Sequence, residues 1–478
     1  MAAFDIAHTG VYNATMGASR RSRRPNMTAR LAQGATMLSP ADNEIMCRVG
    51  PGTPMGNLLR EYWMPALPSK ELPEPDCAPK KVRLLGEDLV AYRTTSGLVG
   101  LMATSCPHRG ASLFFGRNEE EGLRCVYHGW KFDVDGNCVD MPNEPAESNF
   151  KHKIKGTAYP TWEKNGLIWA YMGKLATPPA IPAFEFNMLS EEYCFEPTMM
   201  LEQNNWIQGV EGDIDTSHID FLHARLKLNE GDPQVGRPGV RGFFNRDRAP
   251  KLEIVPTDYG AFYCGRRDWH EGQKMHYYRI TQYMLPFWTM IAAGAPNRLS
   301  ARAWVPIDDE TTLLYNLGVS LDGPIPPEKR AGIPAADMVG GFVDDKGNPK
   351  KRYLFKANRD NDYMIDYEAQ KTKMFSGIPF AGNLQDIAMT ESMGVIYQRH
   401  QEHLGTSDGM VIWVRRALLR AAKTYRDTGE LPPTTSDPNL YRVRSASVVL
   451  PDGHDWVKET AAARSSDSGQ PVAYIIPR

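Results

Sequence analysis

The chain has 478 residues, which is more than one typical core and predicts two or three domains. Hydrophobic residues make up 42% and charged residues 23% of it, as in an ordinary globular protein. Because 55 basic residues stand against 57 acidic ones, no overall field favours nucleic acid or an anionic membrane. No run approaches the roughly eighteen apolar residues of a membrane span. We therefore expect neither a nucleic-acid nor a membrane partner.

The seven cysteines are few for this length and show no regular spacing. Two of them belong to a motif described below, and the other five are scattered. This usage is typical of a reducing compartment, so we expect a cytoplasmic protein without a disulfide framework.

Residues 1–37 differ in composition from the rest. They are rich in Ala, Ser, Arg and Gly, contain a basic run at 20–24, and lack the apolar stretch of a secretory signal. A transit peptide and a nucleic-acid arm are alternatives, but a disordered extension, or a true start at Met37, is the simpler interpretation. The segment is left out of the predicted fold.

Residues 38–60 are predicted to be helical, and residues 61–175 to form a small all-β domain. Ser39 can cap a helix whose first turn contains Pro40. Short runs of β-forming residues follow, separated by turn residues. The strongest hairpin signal is Asn165-Gly166, which joins two apolar runs.

Two segments of this β-domain fit together as one metal site. Cys106-x-His108 and Cys125-x-x-His128 each supply one cysteine and one histidine. A Rieske [2Fe-2S] centre needs this set, with two thiolates on one iron and two imidazoles on the other. Zinc is the alternative, but its ligand pairs usually place like residues together, whereas both pairs here are mixed.

The second half of the chain follows a linker at 176–182, which contains three prolines. Residues 183–478 are predicted to form a larger domain, with helical material around 201–223 and two closing helices at about 385–404 and 410–425. Its predicted strands are 252–255, 261–267, 276–283, 301–305 and 311–319.

A second candidate metal site lies in this domain at His218 and His223. Two histidines and one carboxylate can bind one face of an iron and leave positions open for dioxygen and substrate. On an ideal helix these histidines would point about 140° apart, so the helix must bend, bulge or end near His223. Asp215 is suited to hydrogen-bond outward from His218 without binding metal.

The carboxylate ligand must come from elsewhere in the chain. Asp386 is the first choice, and Asp362, Asp366 and Glu391 are its competitors. Spacing alone does not separate them, because most helical aspartates are solvated or capping.

Taken together, the two motifs resemble those of the Rieske non-haem iron ring-hydroxylating oxygenases, over nearly all of residues 38–430. Gln385-Asp386 resembles the late segment that supplies the family's carboxylate ligand. Within the family, the chain resembles the phthalate-dioxygenase-like group. The segments that carry this closer resemblance are 37–40, 54–56, 82–90 and 211–218.

The resemblance implies an α+β protein in which the Rieske domain precedes a helix-grip catalytic domain, an antiparallel sheet around a long helix. It implies a [2Fe-2S] cluster on Cys106, His108, Cys125 and His128. It also implies a mononuclear Fe(II) on His218, His223 and Asp386.

The implied activity is that of a terminal oxygenase in the catabolism of aromatic compounds. It would use O2 and electrons from an NAD(P)H-dependent flavin and iron–sulfur reductase, with cis-dihydroxylation of a phthalate-like, carboxylated substrate expected first. The family's homotrimers or stacked hexamers imply that Asp215 bridges His128 of one subunit to His218 of the next.

Three other functions compete with this one. A monooxygenase, such as an O- or N-demethylase, would use the same two sites. A Rieske electron carrier would need only the small β-domain, and a zinc-stabilised binding module would be colourless. Substrate contacts stay unassigned, with Arg248, Arg267 and Arg279 as candidates for a substrate carboxylate because Arg suits bidentate pairing.

Overall fold

The computed structural model describes residues 37–145, 147–226, 247–269, 274–292, 297–331 and 335–468. Apart from Met37, the predicted extension 1–37 lies outside the described residues. The helices are α1 Pro40–Cys47, α2 Pro54–Arg60, α3 Glu185–Met188, α4 Trp206–Ile214, α5 Pro327–Arg330, α6 Tyr367–Thr372, α7 Leu384–Ser392, α8 Gly409–Thr428 and α9 Trp456–Glu459.

Among the described residues, ten strands precede α3 and eight follow it. The first ten are β1 Trp63–Pro68, β2 Lys80–Leu84, β3 Glu87–Arg93, β4 Val99–Ala103, β5 Arg117–Glu119, β6 Gly122–Arg124, β7 Lys131–Phe132, β8 Cys138–Asp140, β9 Thr161–Lys164 and β10 Leu167–Tyr171. The others are β11 Thr198–Glu202, β12 Lys251–Thr257, β13 Gly260–Asp268, β14 Met275–Met284, β15 Trp288–Met290, β16 Arg298–Pro306, β17 Thr312–Ser320 and β18 Ala446–Pro451.

The start of the first helix is as the sequence predicts. The Ser39 hydroxyl accepts a hydrogen bond from the Asp42 amide at 3.1 Å, and Pro40 lies in the first turn. The cap satisfies an amide that would otherwise have no partner within the helix.

The first ten strands form three small antiparallel sheets, in the orders β1-β10-β9, β2-β3-β4 and β5-β6-β7-β8. The predicted hairpin at Asn165-Gly166 joins β9 to β10. Both turn residues have positive φ, 50° and 76°, which the twist of a two-residue hairpin requires. This all-β region carries both Cys/His segments, on the loops after β4 and after β6.

The second region is built on one eight-stranded antiparallel sheet. Its order is β11-β17-β16-β15-β14-β13-β12, with β18 also pairing with β14. The long helix α8 packs against β12 and β13 and against α1 and α2. The expected α+β class, with an antiparallel sheet and a long helix, is confirmed, and the five predicted strands correspond to β12, β13, β14, β16 and β17.

The helix predicted around 201–223 is wrong at both ends. Residues Thr198–Glu202 form the edge strand β11, and the helix runs only over Trp206–Ile214. It begins where the Asn205 side chain accepts from the Ile207 amide, and it ends where Asp215 takes an extended conformation. These capping interactions override the helical tendency of the flanking residues.

The helix predicted over 385–404 is also too long, because α7 ends at Ser392. Gly394 follows with φ 95°, and the Gln208 amide group donates to the carbonyls of Thr390 and Gly394. A left-handed glycine and a captured carbonyl both stop a helix.

The segment after α7 is held by a buried charge network. Arg399 and Arg415 both donate to the Glu211 carboxylate of α4, at 2.9 and 2.7 Å. Arg415 is also bonded to Glu402. The network ties α4, α8 and the intervening segment together.

Helix α4 lies unusually close to the sheet. A Cβ atom added at Gly209 would come within 2.1 Å of the Trp304 ring on β16. Only glycine allows this approach. The short distance between α4 and the sheet in turn determines how far from the sheet the chain after α4 begins.

The two regions are joined by a buried carboxylate as well as by the chain. Glu61 is 2% exposed and accepts from the hydroxyl of Tyr171 at 2.8 Å and from that of Tyr425 at 2.7 Å. Tyr171 belongs to β10 and Tyr425 to α8.

No helix in the described ranges combines the length and the apolarity needed to cross a bilayer.

Candidate metal centres

The two Cys/His loops have the same backbone turn. The Gly110 amide donates to the Cys106 carbonyl, and the Gly129 amide donates to the Cys125 carbonyl, both at 2.9 Å. Both glycines have positive φ, 76° and 79°, so each loop closes on a residue without a side chain. The sequence therefore sets two equivalent turns side by side, each presenting one sulfur and one imidazole.

The four side chains form a donor set that suits a metal cluster. Both cysteines are 3% exposed, and burial, together with the neighbouring Cys125, raises the pKa of Cys106 to about 11. The rings of His108 and His128 lie 4.5 Å apart between centroids, and the buried Nδ1 of His128 has no hydrogen-bond partner. A thiol with a raised pKa and an unpartnered ring nitrogen are groups that metal binding would satisfy.

The spacing of these donors argues against a single zinc ion. Zinc bonds of about 2.0–2.3 Å place four tetrahedral donors within about 4 Å of one another. Among the described residues, the only group of three or more such donors within 4.8 Å of one another lies elsewhere, in the second region. The wider spacing fits a two-iron cluster.

The second site begins where α4 ends. His218 opens a short 3₁₀ turn, His218–Asp220, and His223 follows it, so neither histidine lies on a regular helix. The predicted conflict between helical geometry and a shared metal is resolved because the helix stops at Ile214.

The loop that carries His218 is anchored by Arg267 of β13. This guanidinium donates to the Thr216 carbonyl at 2.7 Å and to the Asp220 carboxylate at 2.8 Å, and both charged side chains are 0% exposed. Burial raises the pKa of Asp220 to about 6 despite the ion pair. Arg267 is thus committed to the protein, and we drop it as a candidate for a substrate carboxylate.

Three of the candidate side chains converge at the second site. Oδ1 of Asp386 lies 3.3 Å from Nε2 of His218 and 3.2 Å from Nε2 of His223. All three donor atoms lie within 4.8 Å of one another. Asp386 stands in the first turn of α7, and two imidazoles with one carboxylate form the facial set that suits iron.

The electrostatics of this site favour a cation. Burial opposes ionisation, but hydrogen bonds and charges from His218 and His223 hold the pKa of Asp386 well below its usual value. Burial lowers the pKa of His218, but Asp215 and Asp386 outweigh it and raise that pKa to about 10. The two carboxylates therefore attract positive charge to the point where the donors meet.

Both histidines have a second partner on the ring edge away from Asp386. Nδ1 of His218 lies 3.4 Å from Oδ2 of Asp215, as predicted for an outward hydrogen bond. Nδ1 of His223 lies 2.7 Å from Oε1 of Gln385. The sequence reasoning missed the role of Gln385, and the only local signal was its place beside Asp386.

Two of the competing carboxylates have other partners, and the third is exposed. Asp366 accepts two backbone amides at the start of α6. Glu391 accepts from the Tyr363 hydroxyl at 2.7 Å, and Asp362 is exposed with φ 50°. None of them joins the histidines.

Of the remaining arginine candidates, Arg248 is exposed and lies over the Phe221 ring, 5.1 Å from its centroid. Arg279, on β14, is 6% exposed. Among the described residues its side chain makes one long hydrogen bond, 3.5 Å from Nη1 to the Thr281 hydroxyl, and its Nε has no partner. No carboxylate of a described residue pairs with Arg279.

Arg279 also faces the loop of the second site. It stands opposite Gly265 in the β13–β14 ladder, and directly opposed residues project on the same face. A Cβ at Gly265 would lie 2.7 Å from the Thr216 side chain, so the residue two before His218 packs on this face.

Comparison with known proteins gives a consistent result. Residues 62–159 match the family described as Rieske [2Fe-2S] domain, and residues 170–473 match the family described as LigXa C-terminal domain like. The chain is 39% identical over 430 residues to the 3-chlorobenzoate-3,4-dioxygenase oxygenase subunit of Comamonas testosteroni, covering 88% of this chain and 96% of that protein.

It is also 37% identical over 436 residues to the phthalate 4,5-dioxygenase oxygenase subunit of Pseudomonas putida, covering 88% and 94% of the two proteins. A crystal structure of dicamba monooxygenase bound to dicamba superimposes with a TM-score of 0.52 at 18% identity. It covers 77% of this chain and 99% of the other, which is a likeness of fold.

Proposed function

Because the chain belongs to the phthalate-dioxygenase-like group of Rieske non-haem iron oxygenases, as an oxygenase component, we propose that it cis-dihydroxylates an aromatic carboxylate. The two relatives compared above are named for 3-chlorobenzoate and phthalate, which are aromatic acids. The substrate and the reaction are proposed for this chain from those relatives. One feature of its own site supports the recognition of a substrate carboxylate.

That feature is the buried charge of Arg279. A guanidinium that is 6% exposed and pairs with no described carboxylate has lost most of its hydration without an anion to replace it. A planar carboxylate would match its fork of donors. Because Arg279 lies on the sheet face under the Thr216–His218 loop, an acid held there would sit beside the second metal site.

We propose that the cluster is held by Cys106, His108, Cys125 and His128, and the mononuclear iron by His218, His223 and Asp386. When bound, the cluster would supply electrons one at a time and the iron would activate dioxygen. The protein's own part is to orient the three iron donors through Asp215, Gln385 and Arg267, and to hold the aromatic ring by its acid group.

We further propose that electrons come from an NAD(P)H-dependent flavin and iron–sulfur reductase and that the protein works as a homotrimer or stacked hexamer. Val126 and Tyr127, two adjacent apolar residues beside His128, are 59% and 56% exposed, and an assembly that covers this loop would bury them. Asp215 bonds to its own His218 and keeps 29% of its side chain exposed. It therefore stays available to His128 of a neighbouring subunit.

The domain boundaries proposed from the sequence are 61–175 and 183–478, with the linker at 176–182. Support comes from β10, Leu167–Tyr171, which pairs with β1, Trp63–Pro68, and so belongs to the first region. No helix or strand falls between residues 172 and 184.

The test is a turnover assay with a generic reductase, NADH and pairs of aromatic acids with their neutral amides, such as benzoate with benzamide. We expect turnover of an acid and not of its amide. Labelled dioxygen should place two oxygen atoms in the product of cis-dihydroxylation. One labelled atom would instead indicate a monooxygenase or demethylase.

Arg279→Met should lower kcat/KM for the acid by about 30-fold or more, since losing one partner of a buried charge pair costs about 2–5 kcal/mol. Arg248→Met, at the exposed arginine, is the matched control and should behave as wild type. Equal use of acid and amide, or an unchanged Arg279→Met enzyme, would contradict the proposed carboxylate recognition.

A further inference from the structure

We infer that Gln385 is a positioning residue that fixes the tautomer and orientation of His223 and thereby sets the affinity of the mononuclear site for its metal. The inference rests on the proposed ligand set of His218, His223 and Asp386. It concerns a neutral amide that touches the imidazole from the side away from the metal.

The orientation of the Gln385 amide follows from its other partners. Its Nε2 lies 2.8 Å from the Ile378 carbonyl oxygen and 2.9 Å from the Ser376 hydroxyl. A carbonyl oxygen only accepts hydrogen bonds, so the group that faces it must be the NH2 end. The oxygen of the amide is therefore the atom that faces His223.

The tautomer of His223 follows in turn. Oε1 of Gln385 lies 2.7 Å from Nδ1 of His223 and has no hydrogen to give. Nδ1 must then carry a proton, so a His223 ring that binds metal as a neutral imidazole has its lone pair on Nε2. That atom faces Asp386 at 3.2 Å, at the point where the three donors meet.

Gln385 is itself rigidly placed. It is 3% exposed, and its two donors are both used on the segment that precedes α7. The same segment is tied to the chain just after His223, because the Phe375 amide donates to the Ala224 carbonyl at 2.9 Å. The imidazole is thus held by a side-chain bond on its ring and by a backbone bond next to it.

The two iron histidines consequently have unlike outer partners. His218 faces the carboxylate of Asp215, and His223 faces a neutral amide. A carboxylate partner makes an imidazole a stronger donor than an amide partner does. The structure therefore assigns the orienting roles to two different chemical groups, one charged and one neutral.

The experiment measures metal affinity in the protein with its Rieske cluster intact and its mononuclear site emptied. Co(II) is titrated anaerobically against a competing chelator. Gln385→Leu should weaken Co(II) binding by about 10–100-fold, the usual cost of losing such an outer partner. Gln385→Glu loses the two Nε2 bonds but still offers an oxygen that accepts from Nδ1, so it should bind Co(II) more tightly than Gln385→Leu.

Two further variants separate this role from simple packing. Gln370→Leu removes another side-chain bond to the same segment, from Gln370 Nε2 to the Ser376 carbonyl at 3.3 Å, without touching His223, and should bind Co(II) as wild type. Ser376→Ala should also bind normally, since Ile378 alone still orients the amide.

The inference is overturned if Gln385→Leu binds Co(II) as tightly as wild type. It is also overturned if Gln385→Glu is as weak as Gln385→Leu, because the effect would then come from the lost Nε2 bonds. His223→Ala is the reference: unchanged affinity there would overturn the ligand assignment together with the inference. A failure of the proposed substrate alone leaves all these affinities unaffected.

Discussion

The carboxylate of Asp215 lies 3.4 Å from Nδ1 of His218, on the ring edge opposite to the one that faces the metal site. Its other oxygen accepts from the Ser217 amide at 2.6 Å, which fixes the carboxylate just beyond the end of α4. Asp215 can therefore act on His218 without competing for the metal.

Asp215→Asn should keep normal contents of iron, sulfide and cluster colour but slow the oxidation of a reduced cluster by about 10–100-fold. The amide keeps the shape and loses the charge. The measurement is a single turnover with substrate and oxygen. A wild-type rate in the variant, or a fully active monomer, would show that electrons reach the second site by another route.

Cys125→Ser should bleach the visible spectrum and abolish turnover, because the hydroxyl is a poor replacement for a thiolate ligand. Acid-labile sulfide and the rhombic spectrum of the reduced protein are the measurements. The matched control is Cys138→Ser, a buried cysteine nearby whose Sγ contacts the Asp140 carbonyl at 3.5 Å. Purified wild-type protein with zinc and no sulfide would refute the cluster assignment.

Asp386→Ala should lose the mononuclear iron and leave the red cluster unchanged. The reason is that the other two donors are neutral imidazoles, which hold a divalent ion weakly without the carboxylate. Metal analysis and the visible spectrum report the two sites separately. Asp366→Ala is the control, and retention of iron by Asp386→Ala would return the assignment to the competing acids.

The Glu211 network should make stability depend on pH. Burial opposes ionisation, but Arg399 and Arg415 lower the pKa of Glu211 from 4.5 to about 2. Because the pKa of Glu211 is lower in the folded than in the unfolded state, its ionised form stabilises the fold at pH values above the unfolded pKa of 4.5. This contribution is lost as the pH falls from about 4.5 towards 2.

Glu211→Gln should accordingly reduce the free energy of unfolding by about 3 kcal/mol at neutral pH, and by roughly half of that at pH 3. Denaturant unfolding at the two pH values is the measurement. If the free energies of unfolding of wild type and variant differ by the same amount at both pH values, the network adds no proton-linked stability.

Local signals predicted the parts of the fold that depend on a few neighbouring residues. The cap at Ser39 and the turn at Asn165-Gly166 are short-range features, and both are confirmed. The helix predicted over 385–404 is too long because its end depends on Gln208, which is distant in the sequence. The side-chain amide of Gln208 donates hydrogen bonds to the carbonyls of Thr390 and Gly394. Such a stop is invisible in the segment itself, apart from Gly394.

The candidate sites divide in the same way. The Cys/His pairs and the two histidines could be predicted because the ligands lie close together in sequence. Spacing alone does not identify Asp386 as the carboxylate ligand, and the family resemblance is what favours it. The roles of Gln385 and Arg267 could not be predicted, because each depends on a contact between distant segments.

Glu61 has a consequence for how the molecule tolerates change. One buried carboxylate accepts a hydrogen bond from a hydroxyl of the cluster-bearing region and another from a hydroxyl of the long helix, so it links the two regions by direct contact. The proline-containing segment 176–182 then needs only to reach from one region to the other. Natural variation in length should therefore accumulate in that connection, while the Glu61, Tyr171 and Tyr425 triad should change only in concert.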